Sequence, residues 1–210
     1  MRNPFNSGSL HRFTRKCACT IDYVGNAGWS NGGYTSQSLS FAYSLGGTIV
    51  FVGATNVLTA ALGSGDFTAL FDQYRIDAVS CQILPNHNSS NVSSSASPIP
   101  NIYIVKDYDD ANALASLAAT LEYGSCKAVS PVFRAYPPKF SIRPRILTQT
   151  YRSASTTGYA PAHSAIWLDN LATDVPHYGS KMWIGTTSDT TTYLSFTFVF
   201  TYYLSCKFVV

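Results

Sequence analysis

From Leu194 to Phe208 every even position is apolar or aromatic (Leu, Phe, Phe, Phe, Tyr, Leu, Cys, Phe), while Ser195, Thr197, Thr201, Ser205 and Lys207 fall at odd positions between them. A period of two places successive side chains on opposite faces of a β-strand, so this run predicts one strand with a dry face and a wet face. At roughly 3.3 Å per residue it extends about 50 Å, against about five or six residues for an ordinary strand. A strand that long needs partners along both edges and a second apolar layer over its dry face. The run therefore predicts a large antiparallel sandwich, and any function has to suit that scaffold.

Composition agrees with such a core and adds a constraint on the surface. The 210 residues are 46% hydrophobic and 14% aromatic, but only 12% are charged, about half the usual share of roughly 25%. A surface so thinly charged leaves apolar patches, and these commonly become interfaces with other chains, so self-assembly is expected. The length suits one all-β domain. We read residues 1–33 as a basic amino-terminal arm with a flexible lead-in, and 34–210 as the folded domain.

Further strands are predicted over Thr35–Ser44, with Leu39, Phe41 and Tyr43 on one face, and over Tyr74–Leu84, Asn101–Lys106, Cys126–Ala135, Lys139–Thr150, Ser164–Leu168 and His177–Thr187, while Thr48–Val52 reads as a short apolar run. Gly53–Gly65 reads as a turn-rich connection, and the Ser/Asn-rich stretch 86–100 as an exposed loop. Ala111–Leu121 is the helix candidate, with Asp107, Asp109 and Asp110 placed to cap it and oppose its dipole. The sum is an all-β chain: a single eight-stranded antiparallel jelly roll with one short helix in a connecting loop. An immunoglobulin-like or lectin sandwich gives a similar strand pattern.

Charge is unevenly spread. Arg2, Arg12, Arg15 and Lys16 precede the first acid, Asp22, and no acid lies between Glu122 and Asp169, a stretch that holds Lys127, Arg134, Lys139, Arg143, Arg145 and Arg152. Around Lys139-Phe140-Ser141-Ile142-Arg143-Pro144-Arg145 the cations interleave with an aromatic, a mixture suited to phosphates and unpaired bases. The plainer reading is the wet face of a strand, and both hold if that face lines a cavity. The nucleic-acid candidates are Arg2, Arg12, Arg15, Lys16, Lys139, Arg143 and Arg145. Five cysteines lack disulfide or zinc spacing and are expected as free thiols in a reducing compartment. Calcium at the aspartate cluster is the alternative to capping there, but no metal or cofactor is assigned. His11, His87, His163 and His177 fall in no recognised catalytic motif, so no enzyme is expected. Without a signal-peptide core or an apolar run of about 18 residues, no membrane partner is expected either.

Three phrases carry a resemblance: Leu70-Phe71-Asp72-Gln73-Tyr74-Arg75-Ile76 entering a strand; Ile102-Tyr103-Ile104-Val105-Lys106-Asp107-Tyr108-Asp109-Asp110-Ala111; and the ordered set Trp167-Leu168-Asp169, Pro176-His177-Tyr178-Gly179-Ser180-Lys181 and the final strand. Over residues 69–210 the chain resembles the capsid proteins of small circular single-stranded DNA viruses that encode a replication initiator, the circovirus-like group. The resemblance implies a jelly roll that self-assembles into an icosahedral shell of about sixty subunits around single-stranded DNA. It implies a virion location, with assembly in the host nucleus or cytoplasm, and leaves the host receptor open. The family's long arginine-rich arm is matched only in character, by four cations, which shifts packaging toward inner strand faces such as Arg143 and Arg145. Two other readings stay open. One is a carbohydrate-binding sandwich using Trp29, Trp167 or Trp183 with the Asp107 cluster; the other is an RNA-virus capsid of the same fold, since sequence does not reveal whether a 2′-OH is read.

Overall fold

The computed structural model describes residues 10–86, 100–130, 137–188 and 193–209. The carboxyl-terminal run is one strand of 17 residues, Tyr193–Val209. It lies between two other long strands, His11–Val24 and Phe71–Pro85, antiparallel to both. Leu194, Phe196, Phe198, Phe200, Tyr202, Leu204 and Cys206 are all buried, while Thr197, Thr201 and Tyr203 between them reach solvent. The alternation that predicts the strand thus sets which face it buries.

In chain order the strands are β1 (His11–Val24), β2 (Gly28–Asn31), β3 (Tyr34–Ser36), β4 (Ser38–Ser44), β5 (Gly47–Val52), β6 (Asn56–Ala61), β7 (Phe71–Pro85), β8 (Ile102–Val105), β9 (Lys127–Val129), β10 (Lys139–Ile142), β11 (Leu147–Arg152), β12 (Thr157–Pro161), β13 (Leu168–Asp169), β14 (His177–Ile184) and β15 (Tyr193–Val209). Two short helices, α1 (Gly65–Thr68) and α2 (Leu117–Glu122), sit in connections. One sheet runs β10-β7-β15-β1-β2-β3, the other β6-β5-β4-β14-β8-β9, and β11 and β12 form a separate hairpin. Eight principal strands, β1, β4, β7, β8, β9, β10, β14 and β15, then stand in the orders sixth-third-eighth-first and second-seventh-fourth-fifth. Strands that are neighbours in sequence mostly pass from one sheet to the other, which is the interleaved connectivity of a jelly roll.

Aromatic rings fill the space between the sheets. Trp29 meets Phe196 and Phe198 edge-on, each at 5.6 Å between centroids, and Phe41 meets Phe200 at 5.7 Å. The tyrosine hydroxyls between the sheets pair with neighbouring hydroxyls, as a dry interior favours: Tyr202 and Thr48 lie 2.7 Å apart, Tyr43 and Ser180 2.8 Å. His177 is buried, its Nδ1 within 3.1 Å of the Tyr43 carbonyl and 3.0 Å of that of Val175. Burial pushes this imidazole below its usual range, against those two bonds, so it is a neutral structural group. All five cysteines are free.

The structure departs from the sequence reading at several places. The segment read as an arm and lead-in through residue 33 is, from His11 to Val24, a strand paired with β15 at every residue. The connection Gly53–Gly65 contains β6, hydrogen-bonded to β5. Lys139–Thr150 splits into β10 and β11, because at Pro144 the chain leaves the larger sheet and Arg145 bridges to Tyr178 instead. Of Ser164–Leu168 only Leu168 enters a strand, and β12 is additional. Only Lys127–Val129 of Cys126–Ala135 is strand among the described residues, and positions 131–136 lie outside them, as do 87–99 of the Ser/Asn-rich loop.

The expected helix over Ala111–Leu121 is confined to Leu117–Glu122, with Ser116 as its N-cap accepting from the Ala119 N–H at 3.1 Å. Residues 111–116 instead lie along the second sheet. There the Leu114 N–H donates to Ser38 Oγ at 2.8 Å, and Ser40 Oγ donates to the Ala111 carbonyl. Leu114 packs with Val105 and Trp183 in a small second core. A strap that finds partners on a sheet has no need of the intrahelical bonds its alanines favour.

Candidate nucleic-acid interface

Cross-strand register decides which of the candidate cations share a surface. On the side of the larger sheet turned away from the core, Ser80, itself buried, stands opposite Thr201 and Lys16, with Ser141 of β10 beside it. The next row contains Lys139, Gln82, Val199 and Ala18, and a further row contains Arg75, Ser205 and Arg12. Arg12, Lys16 and Lys139 are thus brought to one face. Asp77 also lies here, at the register shift in β7, and it is engaged: Arg75 Nε donates to it at 2.6 Å and Ser205 Oγ donates to its other oxygen.

Arg15 does not join them. One residue from Lys16, it projects to the opposite side, where its guanidinium lies 2.7 Å from Asp66 and 5.1 Å from the centre of the Phe67 ring. It clamps β1 to α1; being solvent-exposed on both sides, the ion pair contributes little to stability. Arg2 lies outside the described residues.

Arg143 and Arg145 stand at the corner of the sandwich, and the local chain path explains why. Arg145 exchanges backbone hydrogen bonds with Tyr178 at 2.8 and 2.7 Å, so the Arg-Pro-Arg step carries the chain from β10 across to β14. The two arginines line a cleft of about 410 Å³ with Lys106, Tyr108, Ser141 and Ile142. A second hollow of about 230 Å³ continues along the sheet edges and is lined by Lys106, Lys127, Lys139 and Phe140. Sequence reasoning missed Lys106 and Tyr108, because they flank Asp107 and the phrase reads as an acid cluster. Lys127 was visible only as a member of the acid-free run.

The aspartates do something different from capping. Lys181, 5% exposed, extends from β14 to Asp107 at 2.7 Å and also donates to Asp110. Tyr123 Oη donates to Asp107 at 2.8 Å. Burial alone would raise the Asp107 carboxyl, but hydrogen bonds from Asp109, Lys181 and Tyr123 outweigh it and hold the group at about 2. Asp109 is pushed up, chiefly by its hydrogen bond to Asp107. The three carboxylates do converge as a metal site requires, yet an ammonium already supplies the counter-charge. Of the tryptophans offered to a sugar, Trp29 and Trp183 are buried, and Trp167 lies beneath Arg75 and Lys207, at 4.8 and 4.4 Å from ring centre to cation.

Comparison with known proteins gives a match over nearly the whole chain: the family model described as circovirus capsid protein covers residues 1–209. No curated protein matches. Among solved structures, the crystal structure of the 60-mer BFDV capsid protein aligns with a TM-score of 0.61 at 15% identity, over 97% of this chain and 96% of that one. A structure from maize chlorotic mottle virus aligns at 0.51 and 9% identity, over 97% and 96%. The semi-empty virus-like particle of Macrobrachium rosenbergii nodavirus aligns at 0.50 and 12%, over 99% and 98%. At such identities these neighbours speak for the fold, and the family match carries the rest.

Proposed function

The chain belongs to the circovirus capsid protein family, and from that premise we propose that copies of it assemble into an icosahedral shell of sixty subunits around single-stranded DNA. The family match over residues 1–209 carries this reading. The 60-mer BFDV capsid protein, whose fold this chain resembles, supports the subunit number. The work is assembly. Each copy touches several neighbours in a closed symmetric arrangement, so later contacts form at high effective concentration and weak patches sum to a stable particle. A surface with few charges suits that role.

In this reading the folded shell domain begins at His11 with β1 rather than at residue 34, and Arg2 belongs to the segment before it. Arg12, Lys16 and Lys139 on the open face of the larger sheet, with Arg143 and Arg145 at its corner, meet phosphates of the genome. Arg15 is kept as a contact only through the exposed part of its side chain. Assembly takes place in the host nucleus or cytoplasm, and the finished protein resides in the virion.

Size-exclusion chromatography with negative-stain microscopy tests the reading. The purified chain is expected at the void volume as closed particles whose nucleic acid resists RNase and yields to DNase after opening. A chain that stays monomeric at high concentration in every buffer overturns the shell, and RNase-sensitive contents overturn the DNA assignment.

A further inference from the structure

The corner cleft is more specific than a patch of positive charge. Lys106 follows β8 directly, Tyr108 comes two residues later, and Arg143 and Arg145 flank Pro144 just past the end of β10. Tyr108 is seated on Gly179. A Cβ at residue 179 would stand 3.3 Å from the Tyr108 ring and 2.8 Å from Ile142 Cδ1, so glycine there lets both side chains lie close without having to shift. Gly179 falls in the register shift between His177 and Ser180, where a bulge re-aims the strand. Among the described residues no acid is ion-paired to Lys106, Arg143 or Arg145. Asp77, which lines the adjoining hollow with both arginines, is already bonded to Arg75 and Ser205.

A half-buried phenol ring in a hollow with three unneutralised cations matches the chemistry of one unpaired nucleotide. Guanidinium and ammonium groups meet phosphate oxygens, and the ring face takes a base that no complementary strand covers. We propose that this cleft is a nucleotide subsite for single-stranded nucleic acid, in which Tyr108 stacks a base while Lys106, Arg143 and Arg145 hold its flanking phosphates. Lys127 and Lys139 in the next hollow carry the track onward along the sheet edges. The inference rests on the reading of the chain as a genome-holding capsid subunit, and it adds a base-contacting residue that charge alone does not supply.

The test uses the full chain with two labelled probes of equal length, oligodeoxythymidine and an abasic deoxyribose-phosphate strand. Wild type is expected to bind the thymidine strand more tightly. Tyr108→Ala should weaken that binding by roughly five- to hundredfold and leave the abasic strand unchanged, whereas Tyr108→Phe should bind both as wild type does. Arg143→Ala with Arg145→Ala should weaken both probes alike and flatten the slope of log affinity against log salt by about 1.4. Equal binding of the two probes by wild type, or equal loss on both in Tyr108→Ala, overturns the stacking role. Tighter binding of a sulfated polysaccharide than of either strand at matched charge overturns the nucleic-acid assignment. Particle formation by the same preparations is scored separately: wild type without particles removes the capsid reading, while particles without probe discrimination remove only this subsite.

Discussion

The Lys181 cluster shows at residue scale how a distant partner overrides a local rule. Asp107, Asp109 and Asp110 before an alanine-rich run read as helix caps, yet the partner that claims two of them lies more than seventy residues later in sequence, on β14. Replacing Lys181 with Ala leaves two carboxylates facing each other without a counter-charge, and should cost about 3–5 kcal/mol, read as a lower denaturant midpoint. Restoring stability with Asp107→Asn in the same chain would mark the loss as electrostatic. The pH dependence follows from the same bonds. Asp107 is held down to about 2, below the ordinary carboxylate range, so its contribution is full above that range and is lost progressively as pH falls from there through about 2. Asp109 is shifted the other way and takes up its proton first, an event that favours the folded state. The strap should therefore stay fastened at pH 4 to 5, with urea midpoints that fall only below that range. A midpoint already collapsing at pH 5 would contradict the assignment.

Legibility at the scale of elements depended on whether both faces of a strand spoke the same language. The final strand was readable because its inward side chains are large and apolar at every even position. The first strand alternates too, with Phe13, Cys17, Ile21 and Tyr23 packed inward and Arg12, Thr14, Lys16 and Thr20 outward. Arg15, however, sits among the inward positions, and three cations in five residues imitate a disordered arm. The sixth strand escaped because its one buried position is the small Ala60 while Val57 is exposed, so its alternation carries little apolar weight. Of the interface, the run from Lys139 to Arg145 was visible as an acid-free basic stretch. The Tyr108 wall was not, since Tyr108 joins Arg143 and Arg145 only through contacts between segments far apart in sequence. The two faces of β15 should respond unequally to truncation. Phe198, fully buried between Trp29 and Phe41, should cost about 3–5 kcal/mol as Phe198→Ala. Thr201→Ala on the wet face should stay within about 0.5 kcal/mol. Comparable losses in chemical denaturation would mean the wet face is covered in the subunit itself.

For the whole molecule, the proposed shell and its cargo would be held by two kinds of force that differ in their response to salt. Only 12% of the residues are charged, so contacts between copies have to draw mainly on apolar and backbone groups. Such contacts survive salt. In the proposed reading the basic face and corner act through phosphates, and that attraction would fall steeply with ionic strength as released counterions lose their entropic advantage. Raising salt from about 0.15 M to about 1 M shortens the screening length from about 8 Å to about 3 Å. Particles assembled at the higher salt should therefore form with their ordinary diameter but nearly empty, with absorbance ratios approaching those of protein alone. At the lower salt they should load. Exclusion-driven strengthening of apolar contacts by sulfate should raise the yield of empty particles further, which chloride at equal ionic strength should not match. If salt dissolves shell and cargo together, the copies are held by their genome rather than by one another, and the low surface charge has to be explained some other way.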